Sequence, residues 1–134
     1  MPTLFSRIIA GEIPCHKVAE SDHFFAFLDI SPLTMGHTLV VPKLENDYIF
    51  DLDEATYLGL MAFSRQVAKG VEQVVACKRI GVAVVGLEVP HTHVHLVPID
   101  RVEDMNFRNI RVAASDVELA DIAQKISEAI KAFL

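Results

Sequence analysis

Pro90-His91-Thr92-His93-Val94-His95-Leu96-Val97-Pro98 alternates imidazoles with Thr, Val and Leu, the period of a strand with two unlike faces. Successive side chains on a strand point to opposite faces, so His91, His93 and His95 share one face and Thr92, Val94 and Leu96 the other. Same-face neighbours then stand about 7 Å apart at their Cα atoms. The pattern predicts a strand from Thr92 to Ile99 with the apolar set in the core. A slip of one residue would exchange the two sets, which fixes the register. Upstream, Gly86 to Pro90 reads as a loop and the aliphatic run Ile80 to Val85 as another strand, both strands being buried on at least one face.

Further upstream, Asp53 caps a long helix to about Ala76, with Tyr57, Leu60, Met61, Ser64, Val67, Ala68, Val71, Val74 and Val75 on one stripe. Three strands precede it: His16 to Glu20 and His23 to Leu28, joined by the turn Ser21-Asp22, and then His37 to Val41, closed by Pro42. At the start of the chain Thr3 caps a short helix to about Ala10, and Gly11 ends it. After a charged loop from Asp100 to about Ala114, Ser115 and Glu118 form a capping box for a last helix whose apolar set is Leu119, Ile122, Ile126, Ile130 and Phe133. The order helix, three strands, long helix, two strands, helix favours an α+β domain with a mainly antiparallel five-stranded sheet, residues 1–134 forming a single domain.

The 134 residues, 51% hydrophobic and 22% charged, suffice for a core without crosslinks or metals. A net charge of −6 with scattered Lys and Arg offers no polybasic face for nucleic acid or anionic lipid. Cys15 and Cys77 form no metal-type pair and read as reduced packing residues. With no secretory pattern from Met1 to Ala10 and no apolar run approaching the roughly 18 residues of a membrane helix, a cytoplasmic protein is expected.

Two kinds of chemistry want a row of three imidazoles. One is attack on phosphorus by a neutral imidazole, with its neighbours donating hydrogen bonds to the oxygens that gain charge. The other is a transition-metal site in which two strand histidines and a third ligand such as His37 leave a position open for water. The second makes a metal-dependent hydrolase or dioxygenase with His91, His93 and His37 as ligands.

The sequence resembles the histidine triad family of nucleotidyl hydrolases and transferases, most closely its nucleoside phosphoramidase branch. His91 to Val97 matches the signature His-x-His-x-His followed by two apolar residues. Leu4 to Pro14, Ala26 to Pro32 and Gly36 to Lys43 match the family's other segments in the same order, so the resemblance spans residues 4–99. It implies that His93 is the nucleophile that becomes nucleotidylated on the α-phosphate, that His91 and His95 flank it and that His37 completes the cluster. Asp29 would hold the ribose hydroxyls, and Leu4, Phe5, Ile8, Phe27, Ile30 and Leu39 the base of a purine nucleotide or nucleotidyl conjugate. From the residues alone those apolar positions read more often as plain core, and Asp29 equally as a turn residue. The resemblance also implies a homodimer and an adenosine 5'-monophosphoramidase-like activity, with no cofactor.

Three departures stand out. Relatives with a structural zinc carry Cys-x-x-Cys near the N-terminus; here Thr3 and Ser6 occupy those places and Glu45 replaces a histidine, so no metal is expected. The Asn usual on the strand before the triad is missing, and Gly86-Leu87-Glu88 stands where Gly-Gln-Ser is common. A carboxylate near a phosphate repels it unless it is protonated or faces a cation, so Glu88 is an acid for the departing group, a selector of a basic amine, or a solvated loop residue without a role. A nucleotide-binding regulator without turnover is the remaining alternative.

Overall fold

The Thr3 hydroxyl accepts a hydrogen bond from the Ser6 amide and starts helix α1 (Leu4–Ile9); Gly11, at φ +82°, then turns the chain away. Strands β1 (Lys17–Glu20) and β2 (Phe24–Leu28) form a hairpin whose turn is closed by Ser21 N donating to Phe24 O at 2.9 Å. After β3 (Thr38–Pro42) and a 3-10 turn at Ile49–Asp51, the Asp53 carboxylate caps α2 (Glu54–Val74) by accepting from Thr56 N. Then come β4 (Arg79–Ala83), β5 (Val94–Ile99), a second 3-10 turn at Val102–Met105, and α3 (Asp116–Ile130). Ser115 and Glu118 cap α3 reciprocally, as expected. The computed structural model describes residues 2–134, an α+β fold around one antiparallel sheet of order β1-β2-β3-β5-β4.

The two faces of the sheet follow from alternation. Ala26, Leu28, Val40, Val94 and Leu96 pack against Leu60, Val67 and Val71 of α2 and Leu119, Ile126 and Ile130 of α3. Phe25, Phe27, Leu39 and Val41 face the other way and meet Phe5 and Ile8 of α1. Burying the α2/α3 face with the apolar members leaves His93 and His95 on the α1 side, where a short helix covers only part of the sheet. At the contact between the two long helices, Gly70 lets α2 approach the Ile130 backbone; a Cβ there would stand 3.2 Å from its Cα. Among the described residues no helix is long and apolar enough to cross a membrane.

Several boundaries differ from expectation. The first three strands begin one residue later than read, at Lys17, Phe24 and Thr38. The triad strand begins at Val94, not Thr92, so His91 and His93 precede it. Its last pair with β3 is Val40 with Val94; two positions on, the same register would set Thr92 against Pro42, which has no N–H to give and whose carbonyl accepts from the His91 ring. Thr92 N donates instead to Asn46 O at 2.6 Å. The preceding strand ends at Ala83, not Val85, its final partner being His95. This strand is also less buried than expected: Val82 is 53% exposed at the sheet edge. In α3 the buried set is Leu119, Ala123, Ile126 and Ile130, with Phe133 beyond the helix.

Candidate active site

His95 lies on β5 opposite Leu39 and Ala83, and His37 immediately precedes β3. His37 is fully buried, and its Nδ1 accepts a hydrogen bond from Leu33 N at 3.1 Å. That nitrogen is therefore unprotonated, and Nε2 carries the hydrogen of the neutral ring. Nε2 stands 3.0 Å from His95 Nδ1 and donates to it, which leaves the His95 hydrogen on Nε2. Burial, helped by the charges of Arg111 and His93, lowers His37 to about 4. Burial and the neighbouring His37, His93 and Arg111 lower His95 to about 3. Both rings are neutral at pH 7, so the 3.8 Å approach of Asp29 Oδ2 to His37 Nε2 is not an ion pair there. Asp29 is itself pushed upward by burial, and its Oδ1 accepts from Ser31 N at 2.8 Å.

His93 is oriented by backbone. Its Nδ1 is 2.7 Å from His91 O, a group that only accepts, so Nδ1 carries a hydrogen and Nε2 is the nitrogen that holds the lone pair in the neutral tautomer. The ring sits edge-on to Phe5 and His95, at 5.0 and 4.9 Å between centroids. His91 is engaged at both nitrogens: Nε2 donates to Pro42 O at 2.8 Å and Nδ1 accepts from the Thr3 hydroxyl at 2.7 Å. Thr3 also lies 3.2 Å from the Ser6 hydroxyl and donates its amide to Glu45 at 3.0 Å. The three residues in the places of the zinc-ligating positions thus hydrogen-bond with one another and with His91.

A cleft of about 520 Å³ opens in front of these rings. Its lining includes every residue expected at the nucleoside, namely Leu4, Phe5, Ile8, Phe27, Asp29, Ile30 and Leu39, together with His93, His95 and Glu88. Glu88 stands on the exposed rim. His37 and His91 are not on the surface of the cleft; they lie behind His95 and His93. Phe107 and Arg111 also line it, with nothing in the sequence pattern to mark them, and Thr3 orients His91 as well as capping a helix. Phe107 and Arg111 fall in an irregular charged loop where no periodicity marks a residue as facing inward. A second hollow, about 490 Å³ between β1 and the end of α3, has no histidine in its lining.

The metal alternative named His91, His93 and His37. His91 has no free nitrogen, which removes it from that set. The group that does converge is Asp29, His37 and His95, with one ligand atom from each within 4.8 Å of the others. A cation bound at His37 Nε2 would move the ring hydrogen to Nδ1, against the Leu33 N–H that now donates to it. The trio therefore suits a hydrogen-bond relay better than a metal.

Residues 10–102 match the model of the HIT domain, the histidine triad. The chain belongs to the HIT family. An uncharacterized HIT-like protein of Borreliella burgdorferi is 30% identical over 132 residues, covering 92% of this chain and 95% of that protein. The adenosine 5'-monophosphoramidase of Schizosaccharomyces pombe is 33% identical over 100 residues, covering 73% and 74% of the two. The crystal structure of a hypothetical histidine triad nucleotide-binding protein from Sulfolobus tokodaii superposes with a TM-score of 0.82 at 26% identity, over 96% of this chain and 92% of that one. This HIT protein thus belongs to a family of nucleotide-binding hydrolases and transferases.

Proposed function

We propose that this HIT protein hydrolyses or transfers nucleotidyl groups from nucleoside phosphoramidates through a covalent intermediate on His93. One observation carries the reading: the His91 carbonyl holds a hydrogen of His93 on Nδ1, so that Nε2 is the nitrogen of the neutral ring free to attack at the wall of the cleft.

In the first step His93 Nε2 forms a bond to the α-phosphorus as the bond from phosphorus to the amine nitrogen breaks. The imidazolium formed keeps its Nδ1–H on the His91 carbonyl, and His95 Nε2–H donates to a phosphoryl oxygen as it gains charge. His37 fixes that donor through the relay from Leu33 N. The departing nitrogen takes a proton at the cleft mouth, from Glu88 or from water. In the second step water attacks the phosphorus as its bond to Nε2 breaks, the water's proton passes to Glu88 or to solvent, and the mononucleotide leaves. Asp29 accepts from the ribose hydroxyls, and the apolar slot takes the base, which explains why one wall is nearly all hydrocarbon and phenyl ring. The Schizosaccharomyces relative, named as a phosphoramidase, supports this substrate class.

Turnover of an adenosine 5'-phosphoramidate by wild type and by His93→Ala tests the reading. Release of AMP and free amine is expected only from wild type, with at least a thousandfold loss in the variant. Nucleotide binding without any release would favour the regulator instead. A cytoplasmic homodimer fits the same reading: beyond β4 the sheet has no further strand, and Val82, Val84, Val85 and Leu87 are exposed beside that edge.

A further inference from the structure

Arg111 is the only Lys or Arg in the lining of the cleft, which otherwise carries two carboxyl groups, Asp29 and Glu88, and a mostly apolar wall. It is partly buried, and no Asp or Glu oxygen among the described residues lies within 4 Å of it. Its protein partners are two carbonyls, Ser31 O at 3.0 Å and Phe107 O at 3.4 Å, neither of which neutralises a charge. Of the five N–H donors of a guanidinium, most remain unused. The group is nevertheless fixed in place. Its carbon lies 5.8 Å from the Phe107 ring centroid, Phe107 packs edge-on to His95 at 4.7 Å, and Val112 N ties the segment to Pro32 O at 2.9 Å.

With no carboxylate within 4 Å and most of its donors unused, this half-buried guanidinium is free to meet an anion in the cleft. The ligand chemistry that matches a rigid planar fork is a phosphoryl oxyanion. The cleft has a particular need for it, because the Asn and the Gln-Ser pair that the family commonly offers a phosphate are missing and Glu88 repels one. We infer that Arg111 is the phosphate-recognition residue of this cleft, placed by Phe107, Ser31 and Pro32 in compensation for those losses. The inference rests on the nucleotide reading above and names a residue outside the triad as its cation. Its neighbourhood agrees: the charge of Arg111 is felt at Asp29, His37 and His95 alike.

Calorimetric titration of wild type, Arg111→Gln and Arg111→Lys with adenosine, AMP, ADP and adenosine 3',5'-bisphosphate tests it, the readout being the ratio of affinities at each added phosphate. In wild type at least one step should gain tenfold or more, and that gain should collapse to less than threefold in Arg111→Gln. Arg111→Lys, which keeps the charge and loses the fork, should fall between. The step that collapses identifies the phosphate: adenosine to AMP places it at the reacting group, AMP to ADP on the leaving-group side, and AMP to the bisphosphate beside the ribose. A purely structural Arg111 would lower melting temperature and leave every ratio unchanged, and equal ratios in wild type and Arg111→Gln overturn the inference. If wild type binds AMP but no phosphate adds affinity, Arg111 is likewise excluded while the nucleotide reading stands. If wild type binds none of the four, the nucleotide reading itself falls, and this inference with it.

Discussion

At the scale of single residues, the chemistry is decided by which ring nitrogen holds a hydrogen, and the backbone makes each choice. Leu33 N sets His37, His37 sets His95, the His91 carbonyl sets His93, and the Pro42 carbonyl sets His91. The triad itself was legible in the sequence, because alternation kept its rings on the α1 side even where the ladder had stopped. Arg111 and Phe107 were not, since a residue in an irregular loop carries no periodic mark of where it points. Glu88 was legible as an anomaly, and its place on the rim gives that anomaly a test. Glu88→Gln should reduce kcat/KM about tenfold for phosphoramidates of lysine-like amines and leave those of neutral amines within twofold, measured by amine release. Equal effects on the two series would contradict a role in leaving-group selection.

At the scale of elements, helix caps and the long stripe of α2 were readable because their signals are local: Thr3, Asp53 and the Ser115-Glu118 pair all cap as their types predict. Strand ends are not legible in one segment because they depend on the partner. β5 loses its β3 partner as the register approaches Pro42 on another strand, and β4 stops opposite His95, the second residue of β5. Ala123 was passed over on α3 because a small side chain carries little hydrophobic signal, although the close approach of α2 and α3 requires one. Gly70 makes the same approach possible from the other side. Gly70→Leu should destabilise the fold by about 2 kcal/mol in urea unfolding, since the added side chain must displace Ile130 from a packed contact. An unchanged midpoint would mean that the two helices do not rely on this contact.

At the scale of the whole molecule, sheet and helices together bury neutral imidazoles, and this links stability to pH. The folded state holds His37 at about 4 against an ordinary 6.5, so between those values the unfolded chain binds the extra proton. Stability is therefore full above pH 6.5 and falls as pH drops toward 4, by about 3 kcal/mol from His37 alone, with His95 adding to the fall. Urea unfolding at pH 7 and pH 4 checks this, and His37→Asn should flatten the slope. The covalent catalysis proposed here also belongs to this scale, since the placement of His93 depends on backbone and side chains from α1, β3, β5 and the loops between them. Its most direct test is intact-mass spectrometry of wild type and His93→Ala mixed with an adenosine phosphoramidate and quenched in base, because a bond from phosphorus to histidine is acid-labile. The account predicts a nucleotidyl adduct on wild type and none on His93→Ala; an adduct of equal yield on the variant, or turnover by wild type with no adduct at any quench time, would contradict it.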